Sequence, residues 1–435
     1  MLITFCDTLI VGRIGEVELA ASALASSITS VLLVFSIGFS FPISSLVAQS
    51  VGERDQHKTI QLFKHGMLMC LILGTIVVLG GLMAMPLLQY LRQPEEVMVI
   101  LPPFMLQLLL SLLPVMIYQG FRQFIEGLGD TRPAMIAGLL TVGINVGLNY
   151  VFIFGYFGFT AQGVVGSGMA SHVARWFLAL SLGAYILTQP KYRVYWQSFF
   201  ETPFRIGVMR ELVKFGFPIS LQLVFEVAVF SAAAIMIGWI SPQALAAHQS
   251  VLTLAGLTYM AASGIGTATS IRAGNFFGAR DNVQLRLASQ TGIRLAAAFM
   301  AGCSVLLIAF HKLIPWLFLH EASSVLIASQ LLLVAALFQV ADGVQVVLLG
   351  ALRGINDVKY PTLITLVAYW VVAMPLGYVL AFWFDLAALG VWIGLCLGLF
   401  GASITLFFRL KYQLSVLDKR LPSMAPESAT IMITH

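Results

Sequence analysis

Three of the 19 acidic residues in this chain, Asp7, Glu226 and Asp342, lie inside long apolar runs. Glu226 sits near the middle of residues 217–249, FPISLQLVFEVAVFSAAAIMIGWISPQALAAHQ. About 20 apolar residues cross a bilayer core. A charged side chain at mid-membrane costs roughly 2.5–3.5 kcal/mol even on the lenient insertion scale, and such groups face polar cavities that serve ion or substrate paths. Burial favours the protonated carboxyl and an approaching cation favours the charged one. A proton, a sodium ion and a cationic substrate can therefore compete for one such group. The competing reading, a carboxylate tied to a neighbouring Gln or Ser for purely structural reasons, stays open for all three. Asp342 precedes Arg353 by 11 residues, about 16 Å of helix, which puts it at a depth comparable to Glu226. Asp7 lies nearer the opposite end of its run, six residues before Arg13.

The elements that must hold these groups are membrane helices. The 435-residue chain is 59% hydrophobic and 10% charged, whereas soluble domains carry about 25% charged residues. Apolar segments run at about 19–50, 58–90, 97–126, 133–156 and 162–188, and again at 211–240, 243–277, 284–311, 322–352, 359–384 and 386–411. With a short apolar piece at 1–11, that is eleven full spans and a partial first one. A polar linker, 189–210, separates the two series, and a polar tail, 412–435, reads as flexible. The expected organisation is an N-terminal lobe at 1–188, a cytoplasmic linker, a C-terminal lobe at 211–411 and a cytoplasmic tail. Threading the chain back and forth places all but four of its 24 Lys and Arg residues on one face. The exceptions are Arg13, Arg92 and Lys312 on the other side and Arg175 inside span 6. Cytoplasmic segments are the Lys- and Arg-rich ones, so the formal charge of +5 is a topology signal, and no nucleic-acid partner is expected. Both termini of the intact protein fall on the cytoplasmic side of a cell (inner or plasma) membrane.

The chain also repeats. Residues 10–21, IVGRIGEVELAA, match 236–247, MIGWISPQALAA, at an offset of 226, and Gly38, Gly52 and Asp55 fall on Gly264, Gly278 and Asp281. Farther on the offset drifts by one or two, so that EGLGD at 126–130 meets RGIND at 353–357 and Tyr150-Val151 meets Tyr378-Val379. Six spans per repeat keep direction. The expected fold is all-α, two six-helix bundles related by a pseudo-twofold axis along the membrane normal, the frame of an alternating-access transporter. The counterpart of residues 217–226 falls before Met1, which reads as an N-terminally incomplete first helix. None of the three acids has an acidic counterpart: Asp7 falls on Ala233, and Asp342 on Met116.

FCDT at 5–8, GLGDTRP at 127–133, Phe225-Glu226-Val227, AAHQ at 246–249 and DGVQ at 342–345 followed by Leu352-Arg353-Gly354 resemble the multidrug and toxic compound extrusion (MATE) family, NorM-like branch. The likeness covers about residues 3–411. It implies a two-lobe antiporter that exports cationic amphiphilic small molecules in exchange for sodium or protons. The family's span-1 aspartate falls on Asp7, its span-7 glutamate on Glu226 and its span-10 aspartate on Asp342. Its span-5 asparagines fall on Asn145 and Asn149, four apart and so on one helix face. Sodium, if it is the coupling ion, would take Glu226 and Asp342 as ligands; no other cofactor is expected, and the protein is expected to act as a monomer.

Other polar residues carry weaker signals. Asn145 and Asn149 could simply tie helices together. His248 and Gln249, at the start of span 8, could gate or bind, or cap and pack. Arg175 could pair with an acid, or snorkel and bond carbonyls. The four cysteines sit singly, so neither a metal site nor a disulfide framework is expected. No Walker A, GxSxG or HExxH pattern occurs, so the chain is not read as an enzyme or an ATP-driven pump. The leading expectation is a secondary active multidrug exporter working through an inter-lobe cavity. The alternatives are a flippase for lipid-linked oligosaccharide on the same frame and an inactive truncated homologue.

Overall fold

A computed structural model describes residues 7, 10–12, 14–91 and 93–420. The remainder of the first apolar piece, Arg13, Arg92 and the tail from 421 lie outside the described residues. Among those described, eleven helices are long and apolar enough to cross a membrane, and many of their large apolar side chains point outward. Leu71, Ile72, Ile76, Leu79 and Met83 make one such stripe, which a water-soluble surface would not carry.

The helices are α1 (Glu16–Gly52), α2 (Gln56–Ala84), α3 (Glu95–Leu110), α4 (Leu112–Gly127), α5 (Arg132–Phe154), α6 (Gly163–Thr188), α7 (Arg193–Glu201) and α8 (Ile206–Gly238). They continue with α9 (Pro242–Gly278), α10 (Asn282–Phe310), α11 (Ala322–Gly354), α12 (Lys359–Leu366), α13 (Met374–Phe382) and α14 (Ala387–Arg420). α3 and α4 form one span interrupted at Ser111. α12 and α13 form another, joined by a π-helical segment, Val367–Ala373. Two boundaries differ from the sequence reading. The polar linker contains helix: α7 lies within it, and α8 already begins at Ile206, ahead of the expected start near 211. Residues 412–420 are helical rather than flexible, since α14 runs on to Arg420 with Leu414 buried on its inner face.

The chain forms two compact units. One contains the described residues up to Val47 together with Gln56–Ser220; the other contains Ala48–Asp55 together with the chain from Leu221 on. The last turn of α1 thus belongs to the second unit, and glycines explain why. A Cβ on Gly52 would lie 1.9 Å from the Asn275 carbonyl oxygen, and one on Gly278 would lie 2.0 Å from that of Gln49. Both pairs obey the 226-residue offset, so one close backbone contact occurs twice. Gln49 adds side-chain bonds, its Nε2 donating to Gly354 O at 2.8 Å and its Oε1 accepting from Asn356 Nδ2 at 2.9 Å.

The repeat is also visible in the helix ends. α1 and α9 both stop in a left-handed residue that is not glycine, Arg54 at φ 57° and Arg280 at φ 58°. The following amide turns back in both, Asp55 N to Ser50 O and Asp281 N to Phe276 O, each at 3.0 Å. Such returns satisfy carbonyls that a helix end would otherwise leave bare. The ends of α4 and α11 repeat the device: Gly129 and Asn356 are left-handed, and Asp130 N and Asp357 N return to Ile125 O and Leu352 O at 2.9 Å.

Candidate functional site

Each unit holds a group of buried polar side chains, and the two differ in composition. In the first unit, Asn145 and Asn149 are fully buried on the inner face of α5. Asn149 Nδ2 donates to Asp7 Oδ1 at 2.7 Å, and Ser171 Oγ on α6 donates to Asp7 Oδ2 at 2.6 Å. Asn145 Nδ2 donates to Ser171 Oγ at 3.2 Å. The structure thus brings together the three residues expected to cooperate and adds Ser171, which sequence reasoning passed over. A lone serine in a small-residue helix gives no signal without its partner.

Arg175, one turn beyond Ser171, faces the same pocket. The pocket is lined on one side by Ser22, Ser26, Thr29 and Ser30 of α1 and on the other by Asp7, Ser167 and Arg175. It offers about 80 Å³ to water centres, several times the roughly 10–15 Å³ that one water needs. Arg175 Nη1 donates to Ser111 Oγ at 2.5 Å, at the point where the α3–α4 span breaks. Its charge acts on Asp7, yet the two form no ion pair. Of the two readings open for Arg175, the geometry gives electrostatic company to an acid without a direct salt bridge.

In the second unit the group is built on α8, α11 and the π-helical segment. Glu226 and Asp342 are buried, at 7% and 6% exposure, and the Glu226 charge acts on Asp342. Neither forms an ion pair with a described residue. Gln345, three residues after Asp342 on α11, donates from Nε2 to Tyr369 OH at 2.6 Å. Both Gln345 Nε2 and Tyr369 OH lie 3.5 Å from Glu226 Oε1. Tyr259 of α9 and Arg353 belong to the same charge neighbourhood. Trp370 Nε1 donates to Phe225 O at 3.2 Å, so the wider π turn places Tyr369 inward and Trp370 against α8. Single π turns inside α-helices recur at functional sites. Tyr369 is a candidate-site residue that the sequence pattern does not reveal; VAYWVVA reads as ordinary apolar helix, and only the altered turn shows the tyrosine's direction.

Among the described residues, several buried polar atoms within a turn of these acids along α8 and α11 have no hydrogen-bond partner: both amide atoms of Gln339, Gln345 Oε1 and Gln222 Nε2. Leaving a buried polar atom unsatisfied costs about 1–3 kcal/mol, which makes these amides candidates for contact with a polar guest. Carboxylate, phenol and amide oxygens are what a hard cation such as sodium takes, and a carboxylate alone suffices for a proton.

His248 and Gln249 join neither group. His248 is buried, and its Nδ1 accepts the Trp392 indole N–H at 3.1 Å, which makes it a packing residue of the α9–α14 core. Gln249 is exposed.

The MatE family model matches residues 1–151 and 218–379. A probable multidrug resistance protein NorM of Bacillus cereus is 33% identical over 96% of this chain and 93% of its own length. The multidrug resistance protein NorM of Vibrio cholerae is 31% identical, with 93% and 90% covered. A solved multidrug resistance MATE family transporter in an outward-facing conformation superposes with a TM-score of 0.87 at 22% identity, over 96% of this chain and 92% of its own. The helices long enough to span a bilayer, the twice-used turns and a family match running through both halves lead to one conclusion: this chain is a multi-pass membrane protein and belongs to the MatE family.

Proposed function

We propose that the protein is a secondary active multidrug exporter that moves organic cations out of the cell in exchange for sodium or protons, by alternating access. The observation that carries this reading is the Glu226–Asp342 group: two buried carboxylates with no ion pair to a described residue, on helices whose buried amides lack hydrogen-bond partners among the described residues. A site of that kind has a use for a cation and is costly without one. The NorM names of the relatives support multidrug efflux as the task, and a transporter is not an enzyme. Glu226 and Asp342 take the coupling ion, Tyr369 and Gln345 set the geometry of Glu226, and Asp7 with Asn145, Asn149 and Ser171 forms a second cation-responsive group. Antiport then requires only that ion and drug prefer different conformations of the protein and that each disfavour the other's binding.

The test is ethidium efflux from proteoliposomes under an imposed sodium gradient alone and under an imposed proton gradient alone. One gradient should drive efflux in the unmodified protein. Glu226→Gln and Asp342→Asn should each abolish driven efflux while thermal unfolding stays cooperative. Undiminished efflux in both variants would remove the assignment.

A further inference from the structure

The linker is fastened to the first unit by its backbone and by inward-facing aromatic rings. Lys64 Nζ of α2 donates to Thr202 O at 2.7 Å, and His65 Nε2 accepts the Arg205 amide at 2.8 Å. On α7, Tyr195 meets the Phe124 ring edge-on at 5.4 Å, and Phe199 meets Phe63 edge-on at 5.2 Å. The side chains turned away from the core are left free, and they are of two kinds.

The first kind is apolar. Phe200 is 73% exposed and Ile206 67%, and Phe204, with one ring face stacked on His65, is still 55% exposed. A linker surrounded by water would not gather such groups. Val213 and Phe217 carry the exposed apolar surface on along α8, and Arg210 stands between Ile206 and Val213 on the same helix face. The second kind is basic. Residues 193–217 hold four cations, Arg193, Arg205, Arg210 and Lys214, against two acids, Glu201 and Glu211. All four cations are exposed, and none of their side chains forms a hydrogen bond or ion pair with a described residue; Lys214 lies 5.9 Å over the ring of its neighbour Phe215. Arg210 and Lys214 are four apart, so two like charges sit side by side on α8, which is unfavourable until an anion joins them.

Depth narrows the choice of anion. Lys214 precedes Glu226 by 12 residues and Arg210 precedes it by 16, about 18 and 24 Å of helix. With Glu226 near mid-depth, both stand beyond the half-thickness of the hydrocarbon, about 15 Å, at the level of lipid headgroups. Phe217, nine residues from Glu226 and so about 14 Å away, falls just inside that boundary. A soluble anion would need only the cations, and a neutral lipid only the apolar groups. Both kinds together, at that depth, match an amphiphile with an anionic head.

We propose that the outer face of α7 and the start of α8 binds anionic phospholipid. Arg193, Arg205, Arg210 and Lys214 take the headgroup phosphates, while Phe200, Phe204 and Ile206 enter the boundary between headgroups and acyl chains. Helices that combine exposed aromatic and basic residues lie in this interface, and basic clusters beside a membrane span attract anionic lipid. The linker is then an anchor held from both sides, by the protein core and by the leaflet.

Native mass spectrometry of the whole chain, titrated in detergent with phosphatidylglycerol or with phosphatidylcholine of the same acyl chains, tests this. The unmodified protein should retain at least one phosphatidylglycerol about tenfold more tightly, the preference expected when one or two Lys or Arg charges act on a headgroup. Arg193→Gln, Arg205→Gln, Arg210→Gln and Lys214→Gln together should abolish that preference. Arg294→Gln, Lys359→Gln, Lys411→Gln and Lys419→Gln together remove four exposed cations of the second unit; the net charge falls equally and the preference should stay. If the fourfold linker variant loses cooperative melting, Arg210→Gln with Lys214→Gln alone should still lower the preference severalfold. Inorganic phosphate at the lipid's own concentration should not displace the retained lipid. Equal loss in the two fourfold variants would show that the preference follows net charge, and displacement by phosphate would show a site for a soluble anion. Either result, or no preference in the unmodified protein, would overturn the proposal.

Discussion

The inner face of α5 and the inner face of the α12–α13 span occupy the same place in the repeat, and they do opposite things. At an offset of 228 residues, Thr141, Asn145 and Asn149 correspond to Tyr369, Ala373 and Gly377, and all six are buried. In the first unit the lower two positions are amides, turned towards Ser171 and Asp7. In the second unit those positions are small and the neighbouring helix closes on them. A Cβ on Gly394 would lie 2.4 Å from Gly377, and one on Gly398 would lie 2.5 Å from Ala373 Cβ. The polar group there is one turn away, at Tyr369, beside Glu226. One fold therefore carries two polar sites at different heights, and the backbone spacing of each helix pair decides where a polar side chain has room.

The sharpest way to break this comparison is through the acids. If the second unit holds the principal ion site, Glu226→Gln and Asp342→Asn should remove gradient-driven efflux altogether. Asp7→Asn should only weaken it severalfold, because an amide at that position can still bond to Ser171 and Asn149. Equal losses at all three positions in the proteoliposome assay would mean that the two groups share one coupling step. Loss at Asp7 alone would reverse the assignment.

A second test concerns room. Gly398→Ser would give the second unit the kind of side chain that the first unit uses at Ser171. Its Cβ has nowhere to go, so overpacking should cost about 1–3 kcal/mol and lower the thermal midpoint. Ser171→Gly in the first unit removes one donor to Asp7 and should cost about 1 kcal/mol for the lost bond, plus up to about 1 kcal/mol for glycine within a helix. A tolerated Gly398→Ser would show that the second helix pair can open.

Tyr369→Phe should act more gently. It removes the hydroxyl that receives the Gln345 amide and leaves the ring, at a cost of about 0.5–1.5 kcal/mol for one hydrogen bond. The loss should appear as a weaker dependence of efflux on the driving ion rather than as unfolding. Thr141→Val, at the matching position, should change efflux little, since the Thr141 hydroxyl is spent on its own helix, donating to Ala137 O at 2.7 Å.

Much of this was legible in the residues and some was not. The spans, the repeat and the three lone carboxylates can be read because charge is expensive in a bilayer and apolar length is easy to see. Asn145 and Asn149 can be read because a spacing of four puts them on one face. Ser171, Tyr369 and Gln339 could not be, because their meaning depends on which neighbour they meet. The π turn at Val367–Ala373 leaves no mark in its sequence. The end of α14 departs from the sequence expectation for another reason: residues 412–420 are polar enough to read as a flexible tail, but Leu414 and Leu417 continue an inward stripe that packs near Leu406 and Leu410, and tertiary burial overrides composition there.

The smallest expected effects come from the turns after α4 and α11, where the comparison is closest. Asp130 bonds Lys191 and Tyr192 beyond the end of α6, while Asp357 receives Arg409 Nε at 2.6 Å and Gln413 Nε2 at 2.9 Å. Arg409 also stacks on Tyr360 at 3.8 Å. The Asp357 pair is well covered, with side-chain exposures of 19% and 9%, against 51% and 23% for Lys191 and Asp130. Asp357→Asn should therefore destabilise more than Asp130→Asn, which should fall within the roughly 0–1 kcal/mol of an exposed pair. The Asp130 contribution has a direction in pH. Partial burial works to raise its pKa, but the Lys191 and Tyr192 hydrogen bonds outweigh that and hold it below the ordinary aspartate value. A carboxylate depressed in the folded state stabilises above its unfolded value, near 3.9, and the benefit is lost as pH falls through the folded one. Comparing thermal midpoints of the unmodified protein and Asp130→Asn should show a small gap at neutral pH that closes in acid below that range. A gap that persisted there would mean that Asp130 acts through the turn geometry it shares with Asp357 and not through its charge.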